Sequence, residues 1–324
     1  MPARKQMTCP CACPKQLKMK KDLISIKDLS RQEIEEIFSL AQDLKKNKGK
    51  YSQILKGRTL ALIFQKPSNR TRVSFAVGIF ELGGQSIYLS PDEISLGKRE
   101  AVKDVAKTLS RYVSAIVLRT FEHKNVLELA QYSDVPVING LSDLSHPCQG
   151  LADVFTIKEK FGRLKGLNLA YVGDGNNVTH SLLYCASKVG LNINCASPDK
   201  FDPDPGVVRE AKAFASLSGA GIQLFRQASE ACENADIIYT DVWTSMGQEK
   251  EAQKRRKIFK SFQVNKKLVS FAKKNCKIMH CLPAHRGEEI TDEVIDSPNS
   301  IVFDQAENRL HVQKAILLKL LGGI

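Results

Sequence analysis

From about residue 22 onward, short apolar runs alternate with helical patterns, and this alternation constrains the fold more than any other feature of the chain. Thr59–Phe64 is one such run, apolar from Leu60 on, without the polar positions of a strand that keeps one wet face. Ser86–Leu89, Ala115–Leu118 and Pro136–Ile138 follow it, with helical stretches near Arg70–Leu82, Ala101–Tyr112 and Lys124–Tyr132 between them. Strands apolar on both faces and separated by helices read as a parallel sheet covered on both sides. The pattern then repeats, with strands expected at Leu167–Val172, Ile193–Ala196, Ile222–Phe225, Ile237–Thr240, Ile278–His280 and Ile301–Phe303. The expected fold is therefore α/β, with two doubly wound parallel-sheet domains in series joined by interdomain helices. One joining helix is Pro147–Phe161, with a proline in its first turn. The last helix, Gln305–Leu321, is apolar along one face.

Ahead of this pattern, Ser30 and Glu33 form a capping box for a helix with Ile34, Ile37, Leu40 and Leu44 at helical spacing. Residues 1–20 read as a disordered extension: they hold Pro2, Pro10 and Pro14, several lysines and no acid. The ordered pattern begins at Met19, so an upstream start codon is a simpler account than a transit peptide, which would be richer in Arg and Ser.

The chain carries a formal charge of +13, part of it in that extension and part in Lys254-Arg255-Arg256-Lys257. A basic balance attracts anions, nucleic acid included. The basic clusters are not interleaved with aromatics, so a small phosphorylated ligand is expected rather than nucleic acid. No apolar run reaches the roughly 18–20 residues of a membrane helix, and no secretory signal is visible. Six single cysteines between Cys148 and Cys281 look like reduced thiols, and the location expected is cytoplasmic. Cys9, Cys11 and Cys13 lack a spaced second pair, so no metal is expected there.

Five motifs fall at strand ends, where such folds bind ligands. Ser68-Asn69-Arg70-Thr71-Arg72 opens a helix, offering backbone N–H groups, hydroxyls and guanidinium forks to a phosphate; an N-cap with surface arginines is the plainer alternative. His146 and Gln149, three apart at a helix start, offer a ring donor and an amide suited to a carbonyl and its –NH2, although a histidine there is more often a cap. Gly173-Asp174-Gly175-Asn176-Asn177-Val178 sits where a dinucleotide fingerprint would, but Val178 replaces the third glycine. Asp241, before Val242-Trp243-Thr244-Ser245-Met246-Gly247, could hold an ammonium group or cap a helix. The segment Thr244–Lys257 is long enough for a lid, expected to close over substrate. His280-Cys281-Leu282-Pro283-Ala284-His285 suggests zinc at first sight, but no fourth ligand is spaced nearby.

With these motifs in this order, residues 20–322 resemble the aspartate/ornithine carbamoyltransferase family, and the segments at Asp241 and His280-Cys281-Leu282-Pro283 resemble its ornithine branch. The resemblance implies transfer of a carbamoyl group from carbamoyl phosphate to the δ-amine of L-ornithine, giving citrulline and phosphate in arginine biosynthesis, with no cofactor or metal. It implies a carbamoyl phosphate-binding domain at 21–148, with the last helix packing back on it, and an ornithine-binding domain at 149–304. Ser68, Asn69, Arg70, Thr71, Arg119, His146, Gln149, Cys281, Leu282 and Arg309 match the family's carbamoyl phosphate site. Arg119, His146 and Cys281 are its expected catalytic residues. Asn177, Asp241, Ser245 and Met246 match its ornithine set. The Leu282–Pro283 bond is expected to be cis and the assembly a homotrimer. Asn69 departs from the usual Ser-Thr-Arg-Thr, and Ser95 stands where a glutamine commonly reaches a neighbouring subunit's site.

Three other readings compete. A carbamoyltransferase for another amine, such as putrescine or a modified ornithine, is the nearest. A nucleotide-binding oxidoreductase is opposed by Val178. A nucleic-acid-binding protein would show salt-dependent binding to duplex DNA.

Overall fold

In the computed structural model, residues 21–244 and 249–322 are described. The expected extension 1–20 and the expected site residues Ser245 and Met246 lie outside the described residues. Two sheets form, parallel throughout. The first contains β1 (Thr59–Phe64), β2 (Gln85–Leu89), β3 (Ala115–Arg119) and β4 (Val137–Leu141), in the order β2-β1-β3-β4. The second contains β5 (Asn168–Val172), β6 (Asn192–Ala196), β7 (Ile222–Phe225), β8 (Ile237–Thr240) and β9 (Lys277–His280), in the order β7-β6-β5-β8-β9. In each sheet the winding reverses beside the first strand, between β1 and β3 and between β5 and β8. Loops diverge at those points and leave a crevice beyond the strand ends.

Local chemistry sets the helix boundaries. The Ser30–Glu33 capping box is formed in both directions, and Arg31–Lys46 buries Ile34, Ile37, Phe38, Ala41 and Leu44. Pro147–Phe161 begins at its proline and ends at Gly162 in the left-handed region, φ 71°. This helix lies between the two sheets, packed on Asn177–Val189 and on the last helix, and it is buried from Pro147 to Ile157.

One expectation is corrected. Ile301–Phe303 is not a strand: the last helix already begins at Val302 and runs to Leu321. Only Ser300 bridges to Ile278, and the Ile301 N–H closes the contact on the Ile278 carbonyl at 3.0 Å. Three apolar residues carry no period that separates a strand from a helix start. The helix buries Val302 and leaves Phe303 on its outer side. The helix then packs on Arg31–Lys46, Asn69–Glu81 and Pro147–Phe161, so the end of the described chain returns to the first sheet.

Candidate active site

A cavity of about 750 Å³ opens between the two sheets, and every expected site residue that the structure describes lines it. Ser95 does not; it ends a short exposed helix in the left-handed region at φ 42°.

On the first sheet's side the cavity is cationic. The Ser68 hydroxyl accepts from Thr71 N at 3.3 Å and starts the helix Asn69–Glu81, whose first N–H groups face the crevice. Arg70 stands half-buried on that first turn. Arg119 is the last residue of β3 and is buried. Arg309, 2% exposed, arrives from the last helix and donates to Thr71 Oγ1 at 2.9 Å and to Gln149 Oε1. Among the described residues, Arg119 Nε, Arg309 Nε and His146 Nδ1 are buried with no hydrogen-bond partner. Buried polar atoms left unpaired are costly, and all three belong to residues that line this one cavity, a lining that suits an anionic, hydrogen-bonding ligand.

The ionisation behaviour agrees. Burial lowers the pKa of Arg70 and Arg309, and burial together with repulsion from Arg309 and Arg70 brings Arg119 down to about 10. All three stay cationic at neutral pH. His146 is held well below its ordinary 6.5 by burial first, then by Arg309, Arg119 and Arg70. It is therefore neutral at pH 7, a ring able to polarise a carbonyl without adding a fourth charge.

The sign of the resulting pH effect follows directly. Below pH 6.5 the unfolded chain takes up a proton at His146 that the folded chain refuses, so stability attributable to this ring falls as pH falls. Urea denaturation of wild type and His146→Asn between pH 5 and 8 should show the wild type losing up to about 1.4 kcal/mol more per pH unit on the acid side. Parallel acid limbs would mean that the ring is protonated in the fold.

The second sheet supplies a different surface. Asp241 follows β8, and its carboxylate accepts from Asn176 Nδ2, Val242 N and the Cys281 thiol at 2.8, 2.8 and 2.9 Å. Burial, then the Asp241 carboxylate, pushes the Cys281 thiol well above its usual range. Cys281 is thus a thiol donor, not a thiolate nucleophile. Asn177 donates to Ser142 O at 2.5 Å, joining the start of its helix to the loop after β4. The Leu282–Pro283 bond is cis, and Leu282 sits at φ 56°.

Asp241, His280 and Cys281 bring three donor atoms within 4.8 Å of one another. His280 has no lone pair to give: Nδ1 accepts from Leu282 N at 2.8 Å, which leaves the proton on Nε2, facing Glu289 Oε1 at 3.0 Å. The imidazole shapes the turn.

Beside this surface, Arg255 of the helix Ala252–Phe259 is 4% exposed and donates to Asp174 and to the Trp243 carbonyl, with Phe201 and Phe259 on its faces. Burial pushes Asp174 up to about 6, opposed by Arg255. Arg255 thus links Trp243 and Asp174 to the helix Ala252–Phe259. Arg255→Ala leaves a buried carboxylate alone and should cost about 3–5 kcal/mol in chemical denaturation. A loss below about 1 kcal/mol would show the pair to be dispensable.

Sequence reading missed Lys66, Asp153 and Arg255. Lys66 lines the cavity from the residue pair after β1. Asp153 is bonded by Gln149 one turn before it and by Tyr239 and Gln305, 86 and 152 residues away, and Arg255 by Asp174, 81 residues away; no local motif marks either.

Comparison with known proteins gives a consistent assignment. Residues 21–159 match the carbamoyl-P binding domain of aspartate/ornithine carbamoyltransferase, and residues 165–320 match its Asp/Orn binding domain. The ornithine carbamoyltransferase of Thermococcus kodakarensis is 56% identical over 306 residues, 94% of this chain and 97% of that protein. The anabolic ornithine carbamoyltransferase of Pyrococcus furiosus is 54% identical, over 94% of this chain and 97% of that protein. The solved structure of ornithine carbamoyltransferase from Pyrococcus furiosus superposes with a TM-score of 0.91 at 53% identity, covering 94% of this chain and 98% of that one. That from Gloeobacter violaceus gives 0.84 at 47%, covering 93% and 98%. The chain belongs to the aspartate/ornithine carbamoyltransferase family. It is an enzyme of the carbamoyl-transferring class, and it falls among relatives that carry the ornithine name.

Proposed function

We propose that the protein transfers the carbamoyl group of carbamoyl phosphate to the δ-amine of L-ornithine, giving L-citrulline and phosphate, in the biosynthetic direction. The observation that carries this is the division of one cavity into a face with three buried or half-buried arginines and a face built on the Asp241 carboxylate. The first face suits a phosphate dianion, the second an ammonium group.

In this reading residues 21–148 with the last helix bind carbamoyl phosphate, and 149–304 bind ornithine. Ser68, Asn69, Arg70 and Thr71 hold the phosphate on the helix start. Arg119, Arg309 and neutral His146 face the carbamoyl oxygen, and Gln149 reads the carbamoyl nitrogen. Asp241 holds the α-ammonium of ornithine, with Asn177, Ser245 and Met246 completing that pocket and Cys281 and Leu282 touching both substrates. The unprotonated δ-amine attacks the carbonyl carbon and forms the N–C bond. Donors already aimed at the developing oxyanion stabilise the addition, the C–O bond to phosphate breaks, and the departing phosphate takes the surplus amine proton. No organic cofactor or metal enters this scheme.

We also infer a homotrimer. Val73, Val77 and Phe80 recur at i, i+4 and i+7 on the outer face of Asn69–Glu81, 51%, 38% and 76% exposed, beside Ile87 on the edge strand β2. A second copy of the chain is the occupant that such a stripe at a sheet edge suits, and a head-to-tail contact closing after three copies gives the ring. A cytoplasmic location fits the free cysteines among the described residues; no described helix is long and apolar enough to cross a membrane.

The deciding assay is citrulline formation from carbamoyl phosphate and ornithine, run beside aspartate and putrescine as acceptors. Ornithine should be preferred by orders of magnitude. Equal or faster carbamoylation of putrescine would overturn the acceptor.

A further inference from the structure

Asp153 lies two turns into the helix Pro147–Phe161, fully buried, and it touches none of the cavity. Its carboxylate accepts three hydrogen bonds from three elements. Gln149 Nε2 and Gln305 Nε2 reach Oδ1 at 2.8 and 2.7 Å, and the Tyr239 hydroxyl reaches Oδ2 at 3.0 Å. No cation pairs directly with it among the described residues. An ionised group in such a place is expensive unless its lone pairs are met, and here donors meet it on both oxygens.

The bond to Gln149 carries the consequence. A side-chain amide is nearly symmetric in shape, so its partners alone decide which end is oxygen. Gln149 has two: Arg309, which can only donate and faces Oε1, and Asp153, which accepts and faces Nε2. Turning the amide over would set –NH2 against a guanidinium and oxygen against a carboxylate, two repulsions in place of two bonds.

We propose that Asp153 is a positioning residue: it locks the Gln149 amide with its oxygen available to the ligand, and so makes the site prefer an –NH2 beside the carbonyl over a methyl group of the same size. This rests on the reading of Gln149 as the residue facing the carbamoyl nitrogen. An oxygen lone pair rewards a carbamoyl –NH2 and gives nothing to an acetyl –CH3, whereas a freely turning amide also offers –NH2 to a partner that needs an acceptor. The same carboxylate extends the constraint across the cleft, because Gln305 accepts from His280 N at 3.0 Å, next to Cys281.

The test uses two stable ligands that differ only at this group, phosphonoacetamide and its methyl ketone analogue phosphonoacetone, titrated calorimetrically into the full-length protein, with inorganic phosphate as a third probe. Asp153→Leu keeps the branched shape of the side chain and Asp153→Ala keeps the helix without adding bulk, so the measurement does not depend on one variant folding. In whichever folds, the amide-to-ketone affinity ratio should shrink roughly tenfold, the scale of one directed hydrogen bond, with ketone and phosphate affinities held within about twofold. Asp153→Asn can still turn an oxygen to both glutamines and should restore most of the ratio. A merely structural role would weaken all three ligands together, and that result, or an unchanged ratio, would overturn the proposal. Gln149→Met separates the underlying reading. If it abolishes the preference while the Asp153 variants keep it, the lock fails and the reading of Gln149 stands. If it leaves the preference intact, Gln149 does not read the nitrogen and both fail.

Discussion

Arg70→Ala is expected to lower kcat/KM for carbamoyl phosphate by about three to four powers of ten while leaving the fold intact. The guanidinium stands on the first turn of Asn69–Glu81, where helix N–H groups and Arg119 and Arg309 already make the field positive. Two charge-assisted bonds to a phosphate oxygen pair contribute about 1.5–3 kcal/mol each, and more as negative charge builds on the leaving group. Little opposes this loss in the folded state, because Arg70 is half-buried and its departure relieves repulsion on Arg119. Steady-state kinetics at subsaturating carbamoyl phosphate, with circular dichroism as the fold control, decides it. Turnover within tenfold of wild type would remove Arg70 from the phosphate site.

Asp241→Asn should strike the other substrate. It keeps the shape of the side chain but deletes its charge and turns one acceptor into a donor. Both oxygens now accept, one from Asn176 and the other from Val242 and Cys281, so the new –NH2 must face a donor whichever way it turns. Removing one partner of a desolvated charge pair costs roughly 2–5 kcal/mol. Acting on the α-ammonium of ornithine, this predicts a fall in kcat/KM for ornithine of about two to three powers of ten, with phosphonoacetamide affinity unchanged. A variant that loses affinity for phosphonoacetamide as steeply as for ornithine would show Asp241 to be a scaffold for the whole cleft.

Residues whose partners are near in sequence were legible before the structure. Ser30 and Glu33 announced their helix, Pro147 opened another, and the largely apolar runs located the nine strands of the described residues to within a residue or two at most ends. The strand ends located the motifs, because loops at a winding reversal have nowhere else to put their side chains. Ile301–Phe303 misled because three apolar residues lack a period, and only the position of β9 decides that the sheet stops there. Arg309 was readable by family resemblance alone; its bonds to Thr71 and Gln149 span 238 and 160 residues. Asp153 and Arg255 looked like an ordinary acid in a helix and one cation in a basic run. Their meaning lies in burial, which charge counts do not show.

The last helix has a consequence for how the molecule can be divided. Its return to Arg31–Lys46 and Asn69–Glu81 means that the arginine-lined half of the cavity is closed by a residue that follows the whole second sheet in the chain. A fragment ending at residue 159 would expose the groove that Val312, Ala315, Ile316 and Leu317 fill, and it would lack Arg309. The two sheets are therefore not separable modules, and high contact order is built into the assembly of the site. A circular permutant that opens in the loop before Val302 and places this helix ahead of Arg31 would make the same contacts local, so its first half should gain the anion affinity that the natural first half cannot have.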